Sequence, residues 1–344
     1  MASDRTRLTE LATAVGLVYR PAEVALADLG DLDVPGLDPD IWRPAVLPAV
    51  AVGSNRRDLL LRALDNGRAF RETVLRGRLP DRVEWLGGSR SVWSSDIPRD
   101  LTVDGVWFIQ AKYDSTCVLN TSPAAMFDHL LAEEPTMVRE SWFSAVAPRE
   151  LQRYYDAVRA SVDGGDLDVP LPSDVRDLGP EGKATVKAAM RSAPRGDPPP
   201  PESRAYAELT EAVSEATARR WQRNLASTSA PQRTQMLFRM LRIAGGPYWL
   251  LGTKGSSPVR LAVCDTRTWR ERFMLAKFTI GDGHAGQPQV DWRAEILDRG
   301  SRERRIVEGF CEIRWSHGKL QGMPECKVQV RTPLADLPGY DPMI

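Results

Sequence analysis

Apolar positions along this chain alternate between two rhythms. From Ser54, a capping residue, Leu60, Ala63, Leu64, Phe70 and Val74 recur at helical spacing to about Arg76, with Gly67 weakening the middle. Short strand-like runs follow. Val83-Glu84-Trp85-Leu86 and Arg90-Ser91-Val92-Trp93 flank a Gly87-Gly88-Ser89 turn, and a further segment carries Asp96. Pro98 predicts that this segment is interrupted, bulged or at a sheet edge. Asp104-Gly105 then signals a two-residue hairpin feeding the apolar run Val106-Trp107-Phe108-Ile109. Asn120-Thr121-Ser122-Pro123 is a helix start for residues 124–134, and Pro148 opens another helix through Leu151, Tyr154, Tyr155 and Val158. Before all of these, residues 21–53 mix acidic and proline-containing pieces and end in Ala45–Val52, an N-terminal strand or a packed arm.

The second half reverses the order. Helices are predicted over 205–226 and, after Pro231, through Met236–Leu241, whose Met and Leu spacing is a core-facing stripe. Strands are predicted at Tyr248–Leu251, Val259–Cys264, Phe273–Ile280, Val290–Ile296, Arg305–Trp315 and Cys326–Val330. Between the halves, Arg195-Gly196-Asp197 and four consecutive prolines favour extended polyproline geometry. With the acidic stretch Asp163–Asp168, this divides 344 residues into an N-terminal α/β domain (1–160), an acidic and Pro-rich linker (161–204) and an α+β domain with a mostly antiparallel sheet (205–344).

Composition narrows the function classes. Hydrophobic residues at 42% and charged residues at 27% fit a folded globular protein. No apolar run is long enough to span a bilayer, and the N-terminus lacks a signal-peptide core, so an intracellular, cytoplasmic protein is expected. Cys117, Cys264, Cys311 and Cys326 form no CxxC pair, which argues against structural zinc and for reduced thiols. No P-loop, HExxH or GxSxG motif occurs. Formal net charge is zero but unevenly spread: residues 205–331 hold 21 Lys/Arg, 17 of them Arg, against 13 Asp/Glu. Arginine next to tryptophan at Trp269-Arg270, Trp292-Arg293 and Arg314-Trp315 suits nucleic-acid backbone contact, with Arg270, Arg293 and Arg314 as candidates; cation–π pairing on a sheet surface explains such pairs equally well.

The chemistry concentrates after the Val106–Ile109 run. Gln110 and Lys112 must share one face of a strand because side chains alternate with period two, while Ala111 points away. Asp96 stands fourteen positions before Gln110. A carboxylate and an amide oxygen suit a hard divalent cation, and a nearby lysine can orient an attacking water and offset negative charge. Asp100 is the rival carboxylate. A two-residue turn at Asp104-Gly105 pairs it opposite Ile109 and turns it to the other face, which favours Asp96. Asp104 belongs to its turn. His129, beside Met126, Phe127 and Leu130, reads as a semi-buried helix residue, and Cys117 lacks a histidine partner for nucleophilic catalysis.

Helix, strands and helix over residues 54–134, with Asp96 and Gln110-x-Lys112 between, resemble the restriction-endonuclease-like PD-(D/E)XK core in its QxK variant. The resemblance covers about 80 residues. It implies an endonuclease that hydrolyses DNA phosphodiesters with Mg²⁺, or Mn²⁺, in restriction of foreign or modified DNA such as phage defence. On that pattern Asp96, Gln110 and Lys112 are catalytic, and Asp96, Gln110 and the Ala111 carbonyl hold the metal. Glu72 matches an additional acidic ligand of some members, although pairing with Arg68 or Arg76 explains it locally. The resemblance also leaves open a homodimer and an accessory ATPase or defence-system subunit. Glutamine in place of the second carboxylate keeps a different class in view, a catalytically inactive nuclease-fold protein that binds nucleic acid or serves as an adaptor subunit.

Overall fold

The computed structural model describes residues 3–51, 53–87, 97–131, 141–162, 171–192, 201–284 and 286–343. Its elements run α1 (Asp4–Gly16), α2 (Pro39–Val46), α3 (Arg57–Thr73), β1 (Val83–Trp85), β2 (Leu101–Val103), β3 (Trp107–Tyr113), β4 (Cys117–Thr121), α4 (Pro123–Phe127), α5 (Trp142–Val146), α6 (Pro148–Val162), α7 (Pro180–Ser192), α8 (Pro201–Ala226) and α9 (Ala230–Met240). They continue as β5 (Tyr248–Lys254), β6 (Ser257–Val263), α10 (Thr266–Arg272), β7 (Phe273–His284), β8 (Pro288–Asp298), β9 (Arg304–Trp315), β10 (Pro324–Val330) and β11 (Tyr340–Pro342). Among the described residues, no helix is long and apolar enough to cross a membrane.

The strands form two sheets, one mixed and one antiparallel. The mixed sheet has the order β1-β2-β3-β5-β6-β11. Within it β1, β2 and β3 make an antiparallel meander, β5 lies parallel to β3, and β6 returns antiparallel. The second sheet, β4-β10-β9-β8-β7, is antiparallel throughout. Its inward residues alternate as the pleat demands: Val290, Trp292, Ala294 and Ile296 on β8 and Val307, Cys311 and Ile313 on β9 are all buried.

Neither sheet is confined to one side of the Pro-rich stretch. Strand β4 from the N-terminal half joins the second sheet, while β5, β6 and β11 from the C-terminal half complete the first. Strands from both sides of the Pro-rich stretch thus share each sheet, and helices α4, α5 and α6 pack on α8 across it. The cores are divided by layer instead. One packs α1, α2 and α3 against Val83, Leu101, Val103, Ile109 and Leu251. The other packs helices α4 to α9 and the second sheet against Tyr248, Leu250, Leu261 and Val263, on the opposite face of the mixed sheet.

Helices α1 and α3 cross backbone to backbone. A Cβ on Gly67 would stand 2.1 Å from the Thr13 carbonyl oxygen, and one on Gly16 2.3 Å from that of Leu64. The glycine that weakens α3 as an isolated helix is what permits this crossing. Asn66, fully buried beside it, donates to the Gly252 carbonyl at 2.9 Å and accepts from Arg260 Nε at 2.9 Å, tying α3 to β5 and β6.

Two local expectations change. Residues 45–49 form the end of α2 and a 3₁₀ turn rather than a strand, because Asp38 caps a helix whose Trp42 and Val46 fall one turn apart on the buried side. The helix expected over 124–134 stops at Phe127, after which Leu130 and Leu131 adopt positive φ. The expected strand at 90–93 and Asp96 lie outside the described residues.

Candidate active site

Strand β3 divides its side chains between the two cores. Ile109 is buried against α1 and α3, and Tyr113 Oη reaches Thr13 Oγ1 at 2.7 Å and Asn66 Nδ2 at 3.2 Å on the same side. Those surroundings push the Tyr113 phenol up to about 12, chiefly by burial. Phe108, on the alternate face, packs against the other core. Gln110 and Lys112 follow Phe108 at period two and share that face. Lys112 Nζ donates to the Cys117 carbonyl at the start of β4. The Gln110 side-chain amide makes no hydrogen bond among the described residues.

The β2–β3 connection corrects the register expected from Asp104-Gly105. Val103 pairs with Trp107, so the loop comprises three residues, Asp104, Gly105 and Val106. Asp104 (φ 53°) and Gly105 (φ 71°) both take left-handed conformations, and Val106 N–H closes onto the Val103 carbonyl at 3.2 Å. Leu101 then faces Ile109, and the ladder ends there: Asp100 lies just outside it and donates its N–H to the Ile109 carbonyl. What changes is the turn from which Asp100 was placed: the loop has three residues, not two, and Leu101 rather than Asp100 is the residue paired with Ile109.

Asp100 is 2% exposed and held on three sides. Its Oδ2 accepts from Ala111 N–H at 2.8 Å, its own N–H donates to the Ile109 carbonyl at 2.7 Å, and its carbonyl accepts from Leu86 N–H at 3.0 Å. A buried carboxylate thus sits where β1, β2 and β3 converge, beside the Gln110-Ala111-Lys112 triplet. Burial pushes the Cys117 thiol up, outweighing the opposing influence of Lys112 and Lys327.

The remaining candidates are placed apart from this cluster. Glu72 lies on α3, across the mixed sheet from Gln110 and Lys112, 57% exposed and within 3.8 Å of Arg71 and 4.0 Å of Arg68. Asp104 serves its turn: Oδ1 accepts from Asp81 N–H at 2.7 Å and Arg82 N–H at 3.0 Å, and Oδ2 meets Arg78 at 2.6 Å. Arg293 pairs with Glu308 at 3.2 Å and Arg314 with Glu325 at 2.7 Å on the second sheet. Arg270 instead stands with its guanidinium 4.8 Å from the Phe238 ring centre, in a cleft shared with Pro98, Arg239 and Arg242. Sequence reasoning missed Arg239 and Arg242. Their three-residue spacing at the end of α9 was the available signal, hidden within the Met and Leu stripe.

Among the described residues, no three of His, Cys, Asp and Glu come together as a metal-ligand set. The Asp100 carboxylate, the Gln110 amide oxygen and the Ala111 carbonyl are nevertheless hard oxygen donors on adjoining strand positions, the donor type that Mg²⁺ and Mn²⁺ accept. Compared with protein-family models, with curated proteins and with solved structures, the chain matches none.

Proposed function

We propose that this protein is a metal-dependent DNA endonuclease whose site is built from Asp100, Gln110, Ala111 and Lys112. The observation that carries the reading is the buried Asp100 carboxylate accepting from the Ala111 N–H at 2.8 Å, within the Gln110-Ala111-Lys112 triplet. The order α3, β1, β2, β3, with β5 parallel to β3, supports it as a restriction-endonuclease-like core. The Asp100 carboxylate, the Gln110 amide oxygen and the Ala111 carbonyl would hold Mg²⁺ or Mn²⁺, and Asp96 is a further carboxylate within reach in sequence. A bound cation would polarise the phosphodiester and lower the pKa of water. Lys112 is the general cationic group of the site, able to leave the Cys117 carbonyl for a phosphate oxygen or water. The role implied by the resemblance is restriction of foreign or modified DNA.

Gln110 in place of a second carboxylate favours one alternative, a nuclease-fold protein that binds nucleic acid without cutting it. One experiment separates the two. Wild type, Lys112→Ala, Asp100→Asn and Asp96→Asn are incubated with modified and unmodified plasmid in Mg²⁺, Mn²⁺ or EDTA. Nicking or linearisation by wild type, absent in EDTA and in Lys112→Ala but with DNA binding retained, is the expected result. Cutting undiminished in Lys112→Ala overturns the site. Salt-sensitive binding with no cutting by any protein favours the binding-only reading.

A further inference from the structure

The chain passes from the mixed sheet to the antiparallel one within three residues. Strand β3 ends at Tyr113 and β4 begins at Cys117, so Asp114, Ser115 and Thr116 make the whole crossing. Both ends of the turn are tied. Thr116 Oγ1 donates to Gln329 Oε1 at 2.7 Å, on the strand that pairs with β4. Asp114 is tied to the end of β5 and the turn after it. Its N–H donates to the Thr253 carbonyl at 2.8 Å, and its Oδ1 accepts from Gly255 N–H at 2.8 Å and from Thr253 Oγ1 at 3.3 Å. Its Oδ2 meets Arg5 of α1 at 2.5 Å. One side chain thus joins α1, the end of β3 and the β5–β6 turn.

The backbone at Asp114 restricts which residue can stand there. Its φ of 53° is left-handed, a conformation that aspartate and asparagine adopt more readily than most side chains and glycine adopts freely. Just upstream the strands are in close contact. Lys112 pairs with Gly252 of β5, where a Cβ would stand 1.5 Å from the Lys112 carbonyl oxygen. The Lys112 main chain is therefore clamped against β5, two residues before the turn that Asp114 closes. Beyond that turn lies the Cys117 carbonyl, which accepts from Lys112 Nζ. The chain's own return supplies an acceptor for the ammonium, and the turn sets where that acceptor stands.

We infer that Asp114 is a positioning residue for Lys112: by closing the 114–116 turn onto Gly255, it puts the Cys117 carbonyl where it holds the Lys112 ammonium. The lysine stem is long and flexible, so its charge acts from a defined place only when its surroundings fix it there. The hydrogen bond to Gly255 does the closing. The ion pair with Arg5, whose side chain is 57% exposed, is screened by solvent and contributes little. The inference rests on the nuclease reading for what Lys112 does to a phosphate, while its principal test reads the lysine itself.

The test measures how fast Lys112 is acetylated by isotope-labelled acetic anhydride in the whole chain, read by peptide mass spectrometry with the exposed Lys277 as reference. Asp114→Gly keeps the left-handed backbone and removes the carboxylate. Asp114→Asn keeps an oxygen for Gly255 N–H, and Arg5→Ala removes only the ion pair. Lys112 should be labelled about fivefold faster in Asp114→Gly and at the wild-type rate in the other two, with Lys277 unchanged throughout. Asp114→Ser, whose hydroxyl ends short of Gly255, is held to the same criterion should Asp114→Gly not fold. A wild-type labelling rate in Asp114→Gly overturns the proposal, and so does equal acceleration in Arg5→Ala, which would mark general loosening. With plasmid and Mg²⁺, Asp114→Gly should lower kcat at unchanged KM, and Asp114→Asn should restore it. Absence of cutting by wild type would fail the nuclease reading and leave faster labelling in Asp114→Gly standing. Normal labelling and normal cutting by that variant would remove the positioning role alone.

Discussion

The carboxylate of Asp100 and the main-chain N–H of Ala111 are joined at 2.8 Å, so one buried acid both fixes the β2–β3 register and stands beside Gln110 and Lys112. Structure and chemistry at this position are separable by substitution. Asp100→Asn keeps an oxygen to accept from Ala111, whereas Asp100→Ala leaves that N–H without its acceptor. Asp100→Ala should lose about 2 kcal/mol in denaturant unfolding and Asp100→Asn less. Metal-dependent cleavage should fall about a hundredfold or more in both. An Asp100→Asn protein as active as wild type would remove this acid from the site.

Gly67→Ala provides a test in which two effects oppose. Alanine is the better helix former by about 1 kcal/mol, but its methyl would lie 2.1 Å from the Thr13 carbonyl oxygen. Packing should win, with a net loss of about 3 kcal/mol and a lower thermal midpoint. A stabilised Gly67→Ala protein would mean that α1 and α3 do not cross this closely.

Asn66 joins three elements that are distant in sequence. Replacing it with alanine removes the donor to Gly252 and the acceptor for Arg260 Nε, and should cost about 3 kcal/mol in a urea titration. An effect below about 0.5 kcal/mol, the range of ordinary surface changes, would deny it this role.

Asp104 should leave a pH signature. Burial alone would raise its pKa, but the Arg82 and Asp81 N–H groups and the Arg78 guanidinium together hold it below the ordinary carboxylate value. A folded pKa depressed in this way adds stability above the unfolded value of about 3.9, and that stability disappears as pH falls through the folded value. Asp104→Ala should therefore be less stable than wild type by about 2 kcal/mol near pH 7, with the gap closing below about pH 4. A gap that stays constant into acid would assign the effect to the turn backbone and not to the charge.

Much of the strand and helix pattern was legible because amphipathic spacing is local. The strands at 248–330 and the helices near 57–73, 148–162 and 201–226 follow directly from it. The hairpin loop was misjudged by one residue for a physical reason. Val106 is apolar and reads as the first strand residue, yet it is 62% exposed at the turn. Asp-Gly supplies left-handed conformations to two- and three-residue loops alike. The segment 45–49 reads as a strand or arm because it belongs to a short apolar run, Ala45–Val52, whereas Pro39 and the Asp38 cap commit its start to a helix. The exchange of β4 for β5, β6 and β11 between sheets left no local trace, since pairing across more than a hundred residues is settled by which faces fit. The cleft arginines were obscured by the buried residues between them.

The strand exchange also makes this chain a natural two-piece lock. Cut within the Pro-rich stretch, the N-terminal fragment would hold β1, β2 and β3 with no β5 beside them, and β4 with no β10. The C-terminal fragment would carry a parallel strand without its neighbour, and a four-stranded sheet with an open edge. Each half exposes the hydrogen-bonding edge that the other supplies, so the Gln110–Lys112 strand gains its β5 support only when both are present. Activity in such a nicked protein would report reunion of the halves.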